Sequence, residues 1–133
     1  MDNLNVAKWI KFAQTDFDHV IKTVETHHPI PVEIMCYHCE QSIEKILKAF
    51  MIAKGGTLTK THDLDVLLER CKQHSPDFDI FDDACERITT YTTPSRYPSD
   101  IELTESDMRQ AIKDASKILE FTKAKLAEMG FGA

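Results

Sequence analysis

Glycine and proline are scarce, four and five residues in 133, and their scarcity leaves little room for flexible linkers or low-complexity tracts. There is no apolar run of the roughly 18 residues that would suggest a membrane span. The start Met1-Asp2-Asn3-Leu4 lacks the basic residues that open a secretory signal. A cytoplasmic location with no membrane attachment is therefore expected. Period-two alternation is missing over any useful length, which argues against strands, and no internal repeat is visible. Positive charge is in deficit: 16 Lys and Arg stand against 22 Asp and Glu, for a net charge of −6 and a pI near 5.4. That field repels phosphate backbones, so nonspecific nucleic-acid binding is not expected. A local basic pocket for one nucleotide remains compatible with it, because short-range contacts oppose a screened global field.

What is present is globular. Hydrophobic residues make up 42% and charged residues 29%, in a length that one domain fills, so residues 1–133 read as a single domain. Val6, Trp9, Ala13, Phe17, Val20 and Val24 recur every three or four residues, which predicts a first helix from about Asn5 to Thr26. His27-His28-Pro29-Ile30-Pro31 interrupts it. A second helix then runs from Val32 to Ala53 on the face Met35, Cys36, Cys39, Ile43, Ile46, Leu47 and Phe50, and Gly55-Gly56 ends it.

Thr61 is a candidate N-cap for a short third helix, Asp63 to about Gln73, with Asp63 and Asp65 in its first turn. Ser75-Pro76 opens a fourth segment with Phe78, Phe81, Cys85, Ile88 and Tyr91 on one face, and Thr92-Thr93-Pro94 is expected to stop it. Residues Pro94 to Asp100 read as loop. Thr104-Glu105-Ser106-Asp107 resembles a capping signal before a long last helix carrying Met108, Ala111, Ala115, Ile118, Leu119, Thr122, Leu126 and Met129. The tail from Gly130 is expected to fray. The fold class is all-α, an antiparallel up-and-down bundle of four or five helices, three long and two shorter.

The candidate chemistry is sparse. At about 100° per residue, Gln41, Lys45 and Lys48 share a face of helix two with Glu44 beside them, across from the apolar stripe. The plain reading is a solvated face with a Glu44 to Lys48 pair worth about 0.3–0.5 kcal/mol. Ile34, Tyr37, Met51 and Ile52 lie on that same side, which is odd for a face that meets water, so another helix or a second copy of the chain is expected to cover it.

Cys36-Tyr37-His38-Cys39 looks like half a zinc site, but Cys71 and Cys85 do not supply the second close pair, and a redox CxxC needs a preceding strand. All four cysteines are expected as reduced core residues, with no metal and no cofactor. His62-Asp63 has the residue types of a base and its orienter; capping or a tertiary hydrogen bond accounts for it better. Arg96-Tyr97-Pro98 joins an anion-binding fork, a stacking ring and a stiff turn, which suits phosphate and base recognition as well as it suits a tie to a helix C-terminus.

Gln41-Ser42-Ile43-Glu44-Lys45-Ile46-Leu47-Lys48-Ala49, then Thr61-His62-Asp63-Leu64, then Arg96-Tyr97-Pro98, resemble the landmarks of the HEPN domain in order and spacing. Ala7, Trp9, Ala13 and Asp16 resemble that family's opening helix, so the resemblance covers nearly the whole chain. It implies a bundle similar to the C-terminal domain of kanamycin nucleotidyltransferase, a homodimer, and a prokaryotic, cytosolic protein. It also implies a bound nucleotide and a minimal nucleotidyltransferase partner in a toxin-antitoxin-like pair. The carry-over reaches Gln41, Glu44, Lys45, Lys48, His62, Asp63, Arg96 and Tyr97 as ligand-binding residues and assigns no catalytic residue.

HEPN ribonucleases carry an Arg followed after four to six residues by a His. Here Arg70 and His74 are one residue too close, and no His follows Arg87, Arg96 or Arg109 at that spacing. The leading expectation is a noncatalytic, dimerising module that binds a nucleotide or polyphosphate near Lys45, Lys48, Arg96 and Tyr97. One alternative is a metal-independent ribonuclease toxin using Arg70 with His74, or His62 with Arg96. The other is a purely structural dimerisation partner.

Overall fold

The computed structural model describes residues 2–57, 60–96 and 102–131, with side chains from residue 5 onward and excluding those of 93–96. Among these residues there are five α-helices and no strand: α1 (Asp2–Thr26), α2 (Val32–Ala53), α3 (Leu64–His74), α4 (Asp82–Arg96) and α5 (Glu105–Glu128), with a 3-10 helix, Pro76–Phe81, leading into α4. The all-α bundle and its three long helices agree with the periodicity.

Local chemistry sets the ends. Pro31 precedes α2, and its carbonyl accepts the Met35 N–H at 3.0 Å. At the other end Gly55 takes φ +79°, a left-handed turn that disfavours any side chain. The N-cap of α3 is Asp63, whose Oδ1 accepts the Asp65 N–H at 2.9 Å. Thr61, the expected cap, instead accepts the Asp63 N–H, one step upstream. At α5 the capping box forms: Thr104 Oγ1 accepts from Asp107 N–H, and Asp107 Oδ2 accepts from Thr104 N–H. Past its end Gly130 turns with φ +95° and the Phe131 N–H reaches the Leu126 carbonyl, so this part of the expected fraying tail is hydrogen-bonded.

The fourth helix departs from expectation by running through Thr92-Thr93-Pro94 to Arg96. Proline there forfeits a single hydrogen bond near the helix end, to the carbonyl of exposed Thr90, which water reaches. Nor do the preceding threonines break the helix: Thr89 and Thr90 turn their hydroxyls back onto the carbonyls of Cys85 and Glu86.

The chain packs around α2. Trp9 lies by Lys48, Asp16 by Lys45 and His19 by His38, so α1 runs antiparallel to α2. Cys85 neighbours Cys71, which donates to the Leu47 carbonyl, while Thr92 meets Glu40, so α4 is antiparallel to α2 as well. Helix α5 closes the bundle through Arg87–Asp114 and Lys123–Gln14. One end is an aromatic cluster: Phe78 lies 4.8 Å from Phe50 and 5.2 Å from Phe121 between ring centroids, and Phe81 lies 5.0 Å from Phe121. Each such pair adds about 0.5–1.5 kcal/mol beyond its buried area. No helix among the described residues is long and apolar enough to cross a membrane.

Candidate functional site

Helix α2 has no solvent face over most of its length: from His38 to Met51 no residue is exposed. Of the polar stripe, Glu44 and Lys48 are shut off from water, while Gln41 and Lys45 are half-buried. Glu44 and Lys48 keep 3% and 4% of their surface, and Glu40 on the neighbouring turn keeps 1%. The expectation that this side is covered holds from His38 onward, where α1 supplies much of the cover, and not for the first two turns. Met51 is buried and Ile52 half-buried, while Ile34 and Tyr37, on the first two turns, stay exposed.

Glu44 is the centre of the arrangement. Its Oε2 accepts from Lys48 Nζ at 3.0 Å and lies 3.0 Å from His62 Nδ1. Its Oε1 is buried without a hydrogen-bond partner among the described residues. Lys48 also lies over the Trp9 ring, 5.6 Å from the centroid, so the ammonium has a carboxylate on one side and a π face on the other. A charge this deeply buried costs several kcal/mol unless paired, and the pair makes both tolerable. His62 is mostly exposed at its other edge and ties the start of α3 to α2.

The rim of the same face is more open. Lys45 Nζ donates to Asp16 Oδ2 at 2.6 Å, both side chains roughly a quarter or less exposed, and the Ser42 hydroxyl donates to the Ala13 carbonyl at 2.8 Å. Gln41, half-buried, stands between this α1 seam and the seam with α4. On the α4 side the Thr92 hydroxyl donates to Glu40 Oε2 at 2.7 Å. Between α4 and α5, partly exposed Arg87 grips buried Asp114 with two bonds of 3.0 and 2.9 Å, the planar fork matching the carboxylate.

Not all the sequence-predicted residues converge. Gln41, Glu44, Lys45, Lys48 and His62 occupy the back of α2 and its margins. Asp63 is a helix cap, its Oδ1 used by α3. Arg96 ends α4 one turn past Thr92; because α4 is antiparallel to α2, its backbone is carried toward the start of α2, away from Lys48. Tyr97 and Pro98 lie outside the described residues. Trp9, Asp16, Glu40 and Thr92 were not on the candidate list although they complete the cluster. Trp9 and Asp16, seven residues apart and so on one side of a helix, offered a signal; Glu40 and Thr92, 52 residues apart, offered none.

The cysteines belong to the core. All four cysteines are free and buried; burial pushes the Cys36, Cys71 and Cys85 thiols up to about 12 and raises Cys39 further in the same direction. No group of three or more His, Cys, Asp or Glu among the described residues can hold a metal ion. His38, its ring centroid 5.7 Å from that of His19, has its pKa lowered mainly by desolvation. Arg70 and His74 both lie exposed on α3.

Residues 6–125 match the model of the HEPN domain. No curated protein and no solved structure matches the chain.

Proposed function

Because the chain belongs to the HEPN domain family, we propose that it is a noncatalytic member of it that binds a nucleotide or polyphosphate over Gln41. In this reading Lys45 meets the phosphates, and Arg96 and Tyr97, at and just past the end of α4, complete the site. Buried Glu44 and Lys48 lie next to it on the same side of α2, with His62 at the margin. The observation that carries the reading is the 2.7 Å bond from Thr92 to Glu40, which supports an approach of the α4 terminus to the back of α2 beside Gln41.

The charges divide the two lysines. Lys48 is buried and neutralised by Glu44, so its service is to the fold. Lys45 is bound to a partly exposed carboxylate, Asp16, and a phosphate with more charge and more acceptor oxygens can replace it. Ile34 and Tyr37, 54% and 38% exposed on α2, support a second copy of the chain as their cover, and so a dimer. A minimal nucleotidyltransferase partner, in a toxin-antitoxin-like pair, belongs to the same proposal by way of the family.

Isothermal titration with ATP and GTP at millimolar concentration tests the ligand. Heat of binding that Lys45→Ala reduces is the expected outcome; no heat from folded protein overturns it. Light scattering that reports a monomer at high concentration overturns the dimer.

A further inference from the structure

The negative charge of this chain is not spread over it. Residues 63–86 contain eight Asp and Glu and two Lys and Arg, while the rest of the chain contains fourteen of each. The whole net charge of −6 is thus carried by 24 residues: α3, the 3-10 helix and the start of α4. These elements form one surface. Lys72 on α3 bonds both Glu69 and, across the junction, Asp82 at the start of α4. At helical spacing, Asp79, Asp82, Asp83 and Glu86 share the outer side of the 3-10 helix and α4, and all four are exposed.

Helix starts explain part of this composition, since Asp65, Asp82 and Asp83 stand in first turns where the dipole favours anions. They do not explain Glu69 or Glu86, which lie beyond those turns. They do not explain Ile80 either, 64% exposed among the acids, or Val66, 39% exposed on α3. Asp65, Asp79, Asp83 and Glu86 have no ion-pair partner among the described residues. Like charges held together this closely destabilise the free chain, and an apolar side chain in their midst gains nothing from water.

We propose that the outer face of α3, the 3-10 helix and the start of α4 docks a basic, amphipathic segment of a partner protein, Lys or Arg meeting the acids and a large apolar side chain covering Ile80. Charge complementarity selects the partner, because the excess is of one sign and a second copy of the chain brings the same net charge of −6. The proposal is independent of any ligand over Gln41, which lies on a different face.

Fluorescence anisotropy with a labelled helical peptide of alternating Lys and Leu turns, and its Glu-for-Lys counterpart, tests it on the full chain. The Lys peptide is expected to bind and the Glu peptide not to. Asp83→Asn with Glu86→Gln, and separately Ile80→Ser, are each expected to weaken binding about tenfold or more. Both substitutions lie on the exposed surface, and circular dichroism checks that each variant is folded. Amide shifts on peptide addition should map to α3 and the start of α4. Equal affinity for all three proteins means diffuse attraction and overturns the proposal, as does absence of binding at low salt. Self-association at low salt that these substitutions abolish also overturns it, assigning the face to a second copy.

Discussion

Lys48 carries its ammonium group 5.6 Å from the centroid of the Trp9 ring while holding Glu44 at 3.0 Å, so one buried cation joins α1 to the polar side of α2. The two contacts act in the same place. Lys48→Met leaves Glu44 buried with only His62 beside it and should cost up to about 3–5 kcal/mol, whereas Lys48→Met with Glu44→Gln should recover much of it. Denaturant titration followed by the single tryptophan, which is part of the contact, measures both. Equal losses in the single and double variants would show that the pair is not an energetic unit.

The Thr92–Glu40 bond predicts a smaller effect of local origin. Thr92→Val keeps the volume and removes one hydroxyl that Glu40 accepts from, for an expected loss of about 0.5–1.5 kcal/mol, the ordinary worth of one hydrogen bond. Hydrogen exchange should show the last turns of α4 opening more often, with α5 unchanged. A variant as stable as wild type contradicts the role given to this bond.

The thiols give a chemical test of packing. With Cys36, Cys71 and Cys85 pushed up to about 12 and all four cysteines buried, native protein should resist thiol reagents at neutral pH. Denaturant should release four reactive groups, counted by absorbance. Rapid labelling of any of them in native protein would place that residue outside the core.

His38 gives the pH dependence. Burial lowers its pKa from the ordinary 6.5, with His19 and Lys45 adding to the shift and Asp16 opposing it. A lowered folded value means the unfolded chain binds the proton more readily. The contribution is therefore complete above about pH 6.5 and is lost as pH falls from there through the folded value. His38→Asn should flatten that part of the stability profile, and the His38 ring resonances should titrate below those of an exposed histidine. A His38 midpoint above the ordinary value would reverse the sign.

Helix α2 shows how much of this was legible. Its bounds follow from Pro31 and Gly55, and its apolar face from spacing alone, because those signals are local. The polar side was misread as solvated in the plain reading because a wheel treats Glu and Lys as groups that seek water. Glu44 and Lys48 neutralise each other within one turn, and a neutral pair can be covered. Pro94 misled for the converse reason: a breaker close to a helix terminus interrupts little. The site's second half was invisible because Glu40 and Thr92 meet only through the fold, and nothing in either one's neighbourhood points to the other.

A helix with no exposed residue from His38 to Met51 has a consequence for how the gene tolerates change. In a saturation library scored for folded protein, α5 should give a tolerance profile that rises and falls with the helical turn, peaking at residues such as Lys113, Lys117 and Glu120. Helix α2 should give a flat one from His38 to Met51. Drift in this lineage would accordingly accumulate on the outer helices while the central one changes slowly on every side, its lysines and glutamates as constrained as its leucines.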